Sequence, residues 1–199
     1  MTFRLGLTGS IGMGKSTTAR MFAEEGIPVW DADATVHRLY EPGQPAALVL
    51  AKLFPTVIDA EGRVDRRVLR RLVQSDPAAL DRVNAAVHPL VRQNRAVFLA
   101  EAVDSPIVLL DIPLLYESGL SDACDAVAVV SAPPEMQRER VLARGMTEAE
   151  LDMILSRQMP DAEKRARADY VIPTTTLEAA RVAVKDVLAD IRNRIDQDA

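Results

Sequence analysis

Eight residues near the N-terminus, Gly9-Ser10-Ile11-Gly12-Met13-Gly14-Lys15-Ser16, fit the spacing G-x-x-x-x-G-K-[ST] without a mismatch. No other feature constrains the chain as strongly, because the pattern needs a particular setting. An apolar segment with Phe3, Leu5 and Leu7 runs into Gly9 and reads as a strand. Residues Thr17 to Glu25 read as a helix closed by Gly26, a residue that adopts the left-handed conformation at little cost. Between them, glycines let the backbone curl so that successive N–H groups converge, and the helix adds its positive end. Such a loop holds phosphate. Lys15 supplies a mobile charge for β- and γ-phosphates, and the Ser16 hydroxyl can ligate Mg²⁺. Gly9, Ile11, Gly12, Met13, Gly14 and Thr17 complete the expected nucleotide contacts. A glycine-rich turn ahead of an ordinary helix is the alternative, and the strand–loop–helix setting weighs against it.

The rest of the pattern extends this unit. Pro28-Val29-Trp30 is a short second strand ending in Asp31-Ala32-Asp33. From residue 34 to about 104 the period becomes helical, as in PAALVLAKLF and RRVLRRLV, with no credible strand. Asp65 is placed to cap the second of these helices. Pro77 suits a first helical turn, and His88-Pro89 is expected to interrupt or kink the helix that follows. Strands return with Ile107–Leu110, ending in Asp111, then Ala126–Val130 and Tyr170–Ile172. The first two are uniformly apolar runs, as expected of strands covered on both faces. Thr147 and Glu150 form a capping box, and Val184, Val187, Leu188, Ile191 and Ile195 make one stripe of a final helix. The fold expected is α/β, a parallel five-stranded sheet flanked by helices, with an all-helical insertion after the second strand.

Charge and cysteine content narrow the function. Lys+Arg number 24 against Asp+Glu 29, a formal charge of -5 that argues against binding nucleic acid through bulk charge. The single cysteine, Cys124, excludes an internal disulfide and a cysteine-rich zinc site. The N-terminus has no signal-peptide pattern, and no window approaches about 18 uninterrupted apolar residues. The expectation is a reduced cytoplasmic protein with no membrane partner, monomeric or weakly homo-oligomeric.

Three classes of nucleotide user compete: a small-molecule kinase, a GTPase-type switch and an ATPase motor. A switch would carry Asn-Lys-x-Asp, which is absent, and a motor would want a longer chain with a basic groove. The helical insertion suits a kinase with an acceptor lobe and a closing lid. Asp33, at the C-terminal end of the second strand, is then the candidate general base, with a helix N-cap as its alternative. Asp31 suits a capping or metal-supporting role. Asp111 could hold a magnesium-bound water or simply cap its strand. Arg140 and Arg144, four residues apart, could swing onto the transferring phosphoryl group or stand as solvated helix charge, and Arg138 lies off their face. His88 and Arg92 could line an acceptor pocket, although a structural histidine at a helix break is the other reading. His37 follows Asp33 by four residues and could face the same site.

Several of these residues coincide with one family. GLTGSIGMGKST (Gly6–Thr17), DAD followed by His37, HPLVR (His88–Arg92), DIPLLYE (Asp111–Glu117), RVLAR (Arg140–Arg144), SRQM (Ser156–Met159) and ADYVI (Ala168–Ile172) together resemble dephospho-CoA kinase, over nearly the whole chain. The resemblance implies a P-loop kinase-type fold with a nucleotide-binding core (1–33, 105–134 and 160–199), a helical CoA-binding lobe (34–104) and a helical lid (135–159). It implies transfer of the ATP γ-phosphate, with Mg²⁺, to the ribose 3′-hydroxyl of dephospho-CoA. A nucleoside or nucleotide kinase is the alternative acceptor class. By the same resemblance Asp33 is the general base, His88, Arg92, Leu114 and Glu117 meet the acceptor, and Arg140 reaches the ATP phosphates. Thr174 departs from the family's frequent asparagine, which bears on the adenine contacts.

Overall fold

The computed structural model describes residues 2–197. Five parallel strands form its sheet, in the order β2-β3-β1-β4-β5: β1 Phe3–Thr8, β2 Val29–Asp31, β3 Ile107–Asp111, β4 Ala126–Ser131 and β5 Tyr170–Pro173. All residues of β3 and β4 are buried, as their unbroken apolar runs require. β1 lies centrally between β3 and β4, so the loop at its C-terminal end emerges from the middle of the sheet's carboxyl edge. That edge, where strand order changes direction, is where open α/β sheets bind ligands.

The chain divides into two compact units. One contains the sheet and takes in the described residues up to Asp31 and from Ala102 onward. Its core joins Leu5, Leu7, Phe22, Leu109, Val130 and Ile172 to the stripe of the last helix. Helix α1 spans Lys15–Glu24, two residues earlier than the Thr17 start expected from sequence. The cause is Gly14, whose left-handed conformation (φ 90°) ends the loop and lets Lys15 begin the helix directly.

The second unit, Ala32–Glu101, is helical. It contains α2 (Ala32–Leu39), α3 (Pro45–Leu53), α4 (Arg66–Ser75) and α5 (Pro77–Glu101), with a single isolated antiparallel bridge, Ile58 to Val64. Its own core is built from Leu39, Leu50, Val57, Leu69, Val83 and Val87. Asp65 caps α4 by accepting from the N–H groups of Arg67 (2.8 Å) and Val68 (3.1 Å). Those bonds, that to Val68 foremost, hold its carboxyl below the usual range.

Of the interruption or kink expected at His88-Pro89, the interruption does not occur: α5 runs through it for 25 residues. A proline removes one N–H and crowds the carbonyl four residues back, here that of Ala85. Both Pro89 and Ala85 lie on the exposed face of α5, so water can serve the carbonyl while buried Val83 and Val87 keep the helix packed.

The first unit continues with α6 (Pro134–Leu142), α7 (Glu148–Leu155), α8 (Asp161–Arg167) and α9 (Leu177–Gln197). Thr147 and Glu150 make the capping box of α7 in both directions. Val184, Val187, Leu188 and Ile191 of α9 are buried, with Ile195 packed beside them.

Candidate active site

The loop between β1 and α1 closes on a turn in which the Met13 N–H donates to the Ser10 carbonyl (3.2 Å). Glycines are needed for two separate reasons. Gly12 and Gly14 have φ of 77° and 90°, which side-chain-bearing residues avoid. Gly9 and Gly12 also permit close approach: a Cβ at Gly9 would lie 2.3 Å from Cγ2 of Val130, and one at Gly12 2.6 Å from Cγ2 of Val141. Thus β4 and α6 pack directly on the loop backbone. Gly14 provides no side-chain cap for α1, so the first-turn N–H groups remain as donors for an anion, with the helix dipole behind them. Ser16 and Thr17 sit exposed on that turn.

The Lys15 ammonium reaches Oδ1 of Asp111 at 2.5 Å, and the Asp111 side chain is only 3% exposed. Strand register explains the meeting. Asp111 pairs with Leu7 on one side and Asp31 on the other, so two carboxylates stand at neighbouring strand ends beside the loop's own strand. The pairing puts a cation and two anions where a phosphate chain and its counter-ion would be handled.

Arg140, on α6, donates from Nη2 to the Thr174 carbonyl (2.5 Å) and from Nη1 to its hydroxyl (3.3 Å). The Thr174 hydroxyl in turn donates to the carbonyl of Met13 (2.7 Å). Thr174 is 6% exposed and would stand 3.3 Å from a Cβ at Gly14, closer than an ordinary van der Waals contact. One side chain therefore ties the phosphate loop, the end of β5 and Arg140 together. Arg140 and Arg144 both line a cavity of about 300 Å³ with Gly14, Thr17, Thr174 and Leu177. Arg144 lies just beyond the end of α6, and Arg138 instead pairs with Glu148 and Asp152 of α7. A larger cavity of about 450 Å³, between Pro133 and Arg165, contains no residue of the phosphate loop. The 300 Å³ cavity is therefore the nucleoside candidate. Of its Thr174–Leu177 wall, only Thr174 carries a signal in the sequence, as the departure from the family's frequent asparagine.

Glu117 is engaged inside the sheet unit. Its Oε1 accepts from the Met159 N–H (2.9 Å) and lies 2.8 Å from the ammonium of Lys164, a fully buried side chain. Burial alone would push the Glu117 carboxyl up, but Lys164 and the Met159 N–H outweigh it and hold the group below its usual range. Leu114, three residues earlier, is exposed.

In the helical unit, Asp33 is exposed in the first turn of α2. His37 lies one turn further on, with the Arg66 guanidinium against its ring. His88 and Arg92 stand one turn apart on the exposed side of α5. Arg66, Arg67, Arg70 and Arg71 are all exposed on α4, giving this unit a positive surface within an acidic chain. Among the described residues no group of three or more His, Cys, Asp or Glu forms a metal cage, and no helix is long and apolar enough to cross a membrane.

Comparison with known proteins agrees on one relationship. The dephospho-CoA kinase family model matches residues 3–178. The dephospho-CoA kinase of Cereibacter sphaeroides is 59% identical over 195 residues, covering 98% of each chain. That of Ruegeria pomeroyi is 53% identical over 193 residues, covering 96% of this chain and 97% of the relative. A crystal structure from Thermus thermophilus superposes with a TM-score of 0.85 at 39% identity, covering 95% of this chain and 97% of that one. The dephospho-CoA kinase of Campylobacter jejuni shares the fold, with a TM-score of 0.67 at 23% identity over 96% and 97% of the two chains.

Proposed function

The chain belongs to the dephospho-CoA kinase family, and from that membership we propose that it moves the γ-phosphoryl group of ATP onto the ribose 3′-hydroxyl of dephospho-CoA, with the residues above in stated roles. The products are coenzyme A and ADP, and the reaction belongs to coenzyme A biosynthesis. The observation that carries the reading is Lys15 at the head of an uncapped α1, beside Asp111 and between Gly14 and Thr17, which line the Arg140 cavity.

The N–H groups of the Gly9–Thr17 loop bind the phosphate chain, and Lys15 exchanges part of its contact with Asp111 for the β- and γ-phosphates. The adenosine moiety fills the 300 Å³ cavity, with Arg140 and Arg144 at its rim. Ser16 and Asp111 suit Mg²⁺: the Ser16 hydroxyl would be a hard oxygen ligand, and the Asp111 carboxylate would hold a water bound to the cation. When bound with ATP, the cation neutralises charge on the phosphate oxygens. Asp33 accepts the proton of the 3′-hydroxyl as its oxygen bonds to the γ-phosphorus and the bond from that phosphorus to the β–γ bridging oxygen breaks, leaving ADP. Support for Asp33 comes from chain order: it follows Asp31, itself in register with Asp111, by two residues. His88, Arg92 and the arginines of α4 are basic groups of the helical unit that would meet an anionic acceptor. Leu114 contributes apolar contact, and Glu117 acts through the lid segment it holds. The lid is residues 135–159. The setting is the cytoplasm, and the protein works as a monomer or weak homo-oligomer.

An ATP-consumption assay with dephospho-CoA, nucleosides and nucleoside monophosphates as acceptors tests the reading. Selective consumption with dephospho-CoA is expected. Preference for a monophosphate would transfer the chain to the nucleotide kinases, and hydrolysis stimulated only by a macromolecule would remove it from the kinases.

A further inference from the structure

Ile11, at the crown of the phosphate loop, is held at both ends of its backbone by glutamines from outside the loop. The Gln137 Nε2 on α6 donates to the Ile11 carbonyl (2.7 Å). The Gln158 Oε1, in the segment between α7 and α8, accepts from the Ile11 N–H (3.2 Å). Neither amide can be reversed, since a carbonyl only accepts and an N–H only donates. Gln137 is 6% exposed and its bond is partly buried, so losing the partner there costs more than at an open surface.

The consequence follows from the planar trans peptide, in which C=O and N–H point in opposite directions. Fixing the Ile11 carbonyl toward Gln137 turns the Gly12 N–H away from α6. Fixing the Ile11 N–H toward Gln158 turns the Ser10 carbonyl the other way, where it receives the Met13 N–H. Two successive peptide planes are thereby set, next to a glycine whose φ of 77° would otherwise let the Ile11–Gly12 plane rotate easily. The lid segment also has a fixed point, since Glu117 accepts from Met159, the residue after Gln158.

We propose that Gln137 and Gln158 are positioning residues for ATP: one as an obligatory donor and the other as an obligatory acceptor, they pre-set the N–H groups of the phosphate loop. They act through Ile11 and not by touching the nucleotide. The inference rests on the loop binding ATP, but not on which acceptor is phosphorylated.

The test substitutes each glutamine with Glu, which keeps an acceptor and loses the donor, and with Met, which loses both at similar size. ATP affinity is measured by titration calorimetry, with KM for ATP and kcat from turnover. At position 158, Gln158→Glu should bind ATP better than Gln158→Met, because the acceptor survives. At position 137 the order should reverse, since a carboxylate would face the Ile11 carbonyl. Gln137→Glu should show an ATP Kd raised about tenfold or more, with a smaller change in kcat, and should recover as pH falls and the carboxyl regains a proton. Charge repulsion of ATP alone would make Glu the worse residue at both positions, and simple space-filling would rank the two substitutions alike at both. Either of those patterns, or unchanged ATP affinity in all four variants, overturns the proposal. Thermal unfolding of each variant shows that affinity is compared between folded proteins. Calorimetry with ATP alone gives the same ranking whatever the acceptor, so failure of the clasp and failure of the dephospho-CoA reading are separable.

Discussion

The Lys15 ammonium and the Asp111 carboxylate meet at 2.5 Å because Asp111 stands in register with Leu7, two residues before the phosphate loop begins. Sheet register thus delivers a carboxylate to the loop's only lysine. A charge-assisted contact in a water-poor site can stabilise a transition state by several kcal/mol. Lys15→Ala should lower kcat/KM by more than about 3 kcal/mol, roughly a hundredfold. A loss below tenfold in steady-state kinetics would mean the loop does not cradle the reacting phosphates.

Thr174 joins Met13 to Arg140 through one hydroxyl. Thr174→Val keeps the shape but leaves the Met13 carbonyl without that donor. The expected cost is about 1–3 kcal/mol of stability, together with a higher KM for ATP as Arg140 loses an anchor. Denaturant unfolding and ATP titration check the two effects. A stability change within about 0.5 kcal/mol, the range of inert surface substitutions, would contradict the role.

The parts of this structure that could be read from sequence are those with a strong local cause. Glycine spacing gave away the loop, apolar runs marked the strands, and Asp65 and Thr147 announced helix starts by their capping chemistry. The contacts that organise the site are of another kind. Lys164 is fully buried, whereas a lysine in a polar heptapeptide reads as surface. Gln137 and Gln158 reach Ile11 across 126 and 147 residues of chain, with no pattern to signal it. Pro89 shows the converse case, a strong local signal overruled by packing on the opposite face of α5. Long-range side-chain pairing is set by topology, and topology is only partly contained in local periodicity.

Glu117 supplies the pH dependence. Its carboxyl is held below its ordinary value of 4.5 in the folded chain, so the stabilisation is present above that value and fades as pH falls through the folded one. Glu117→Gln should flatten the acid limb of the stability curve as pH falls below 4.5. It should also cost about 1–3 kcal/mol at neutral pH, because Lys164 stays buried while solvent screens part of the pair. Urea unfolding across this range provides the check. An acid limb as steep as wild type would contradict the assignment.

Lid closure predicts a regional signal. Amides of residues 135–159 should gain protection from hydrogen exchange when ATP and dephospho-CoA are both present, as the segment closes over the phosphates. Exchange that is identical with and without both ligands would contradict a moving lid.

The base assigned to the acceptor hydroxyl provides the most direct test. Asp33→Asn preserves shape and removes the proton acceptor. Single-turnover transfer from ATP to dephospho-CoA should slow by about 10²–10⁴-fold, while ATP affinity measured on the same protein stays within about twofold. Transfer at near wild-type rate would contradict phosphoryl transfer assisted by Asp33.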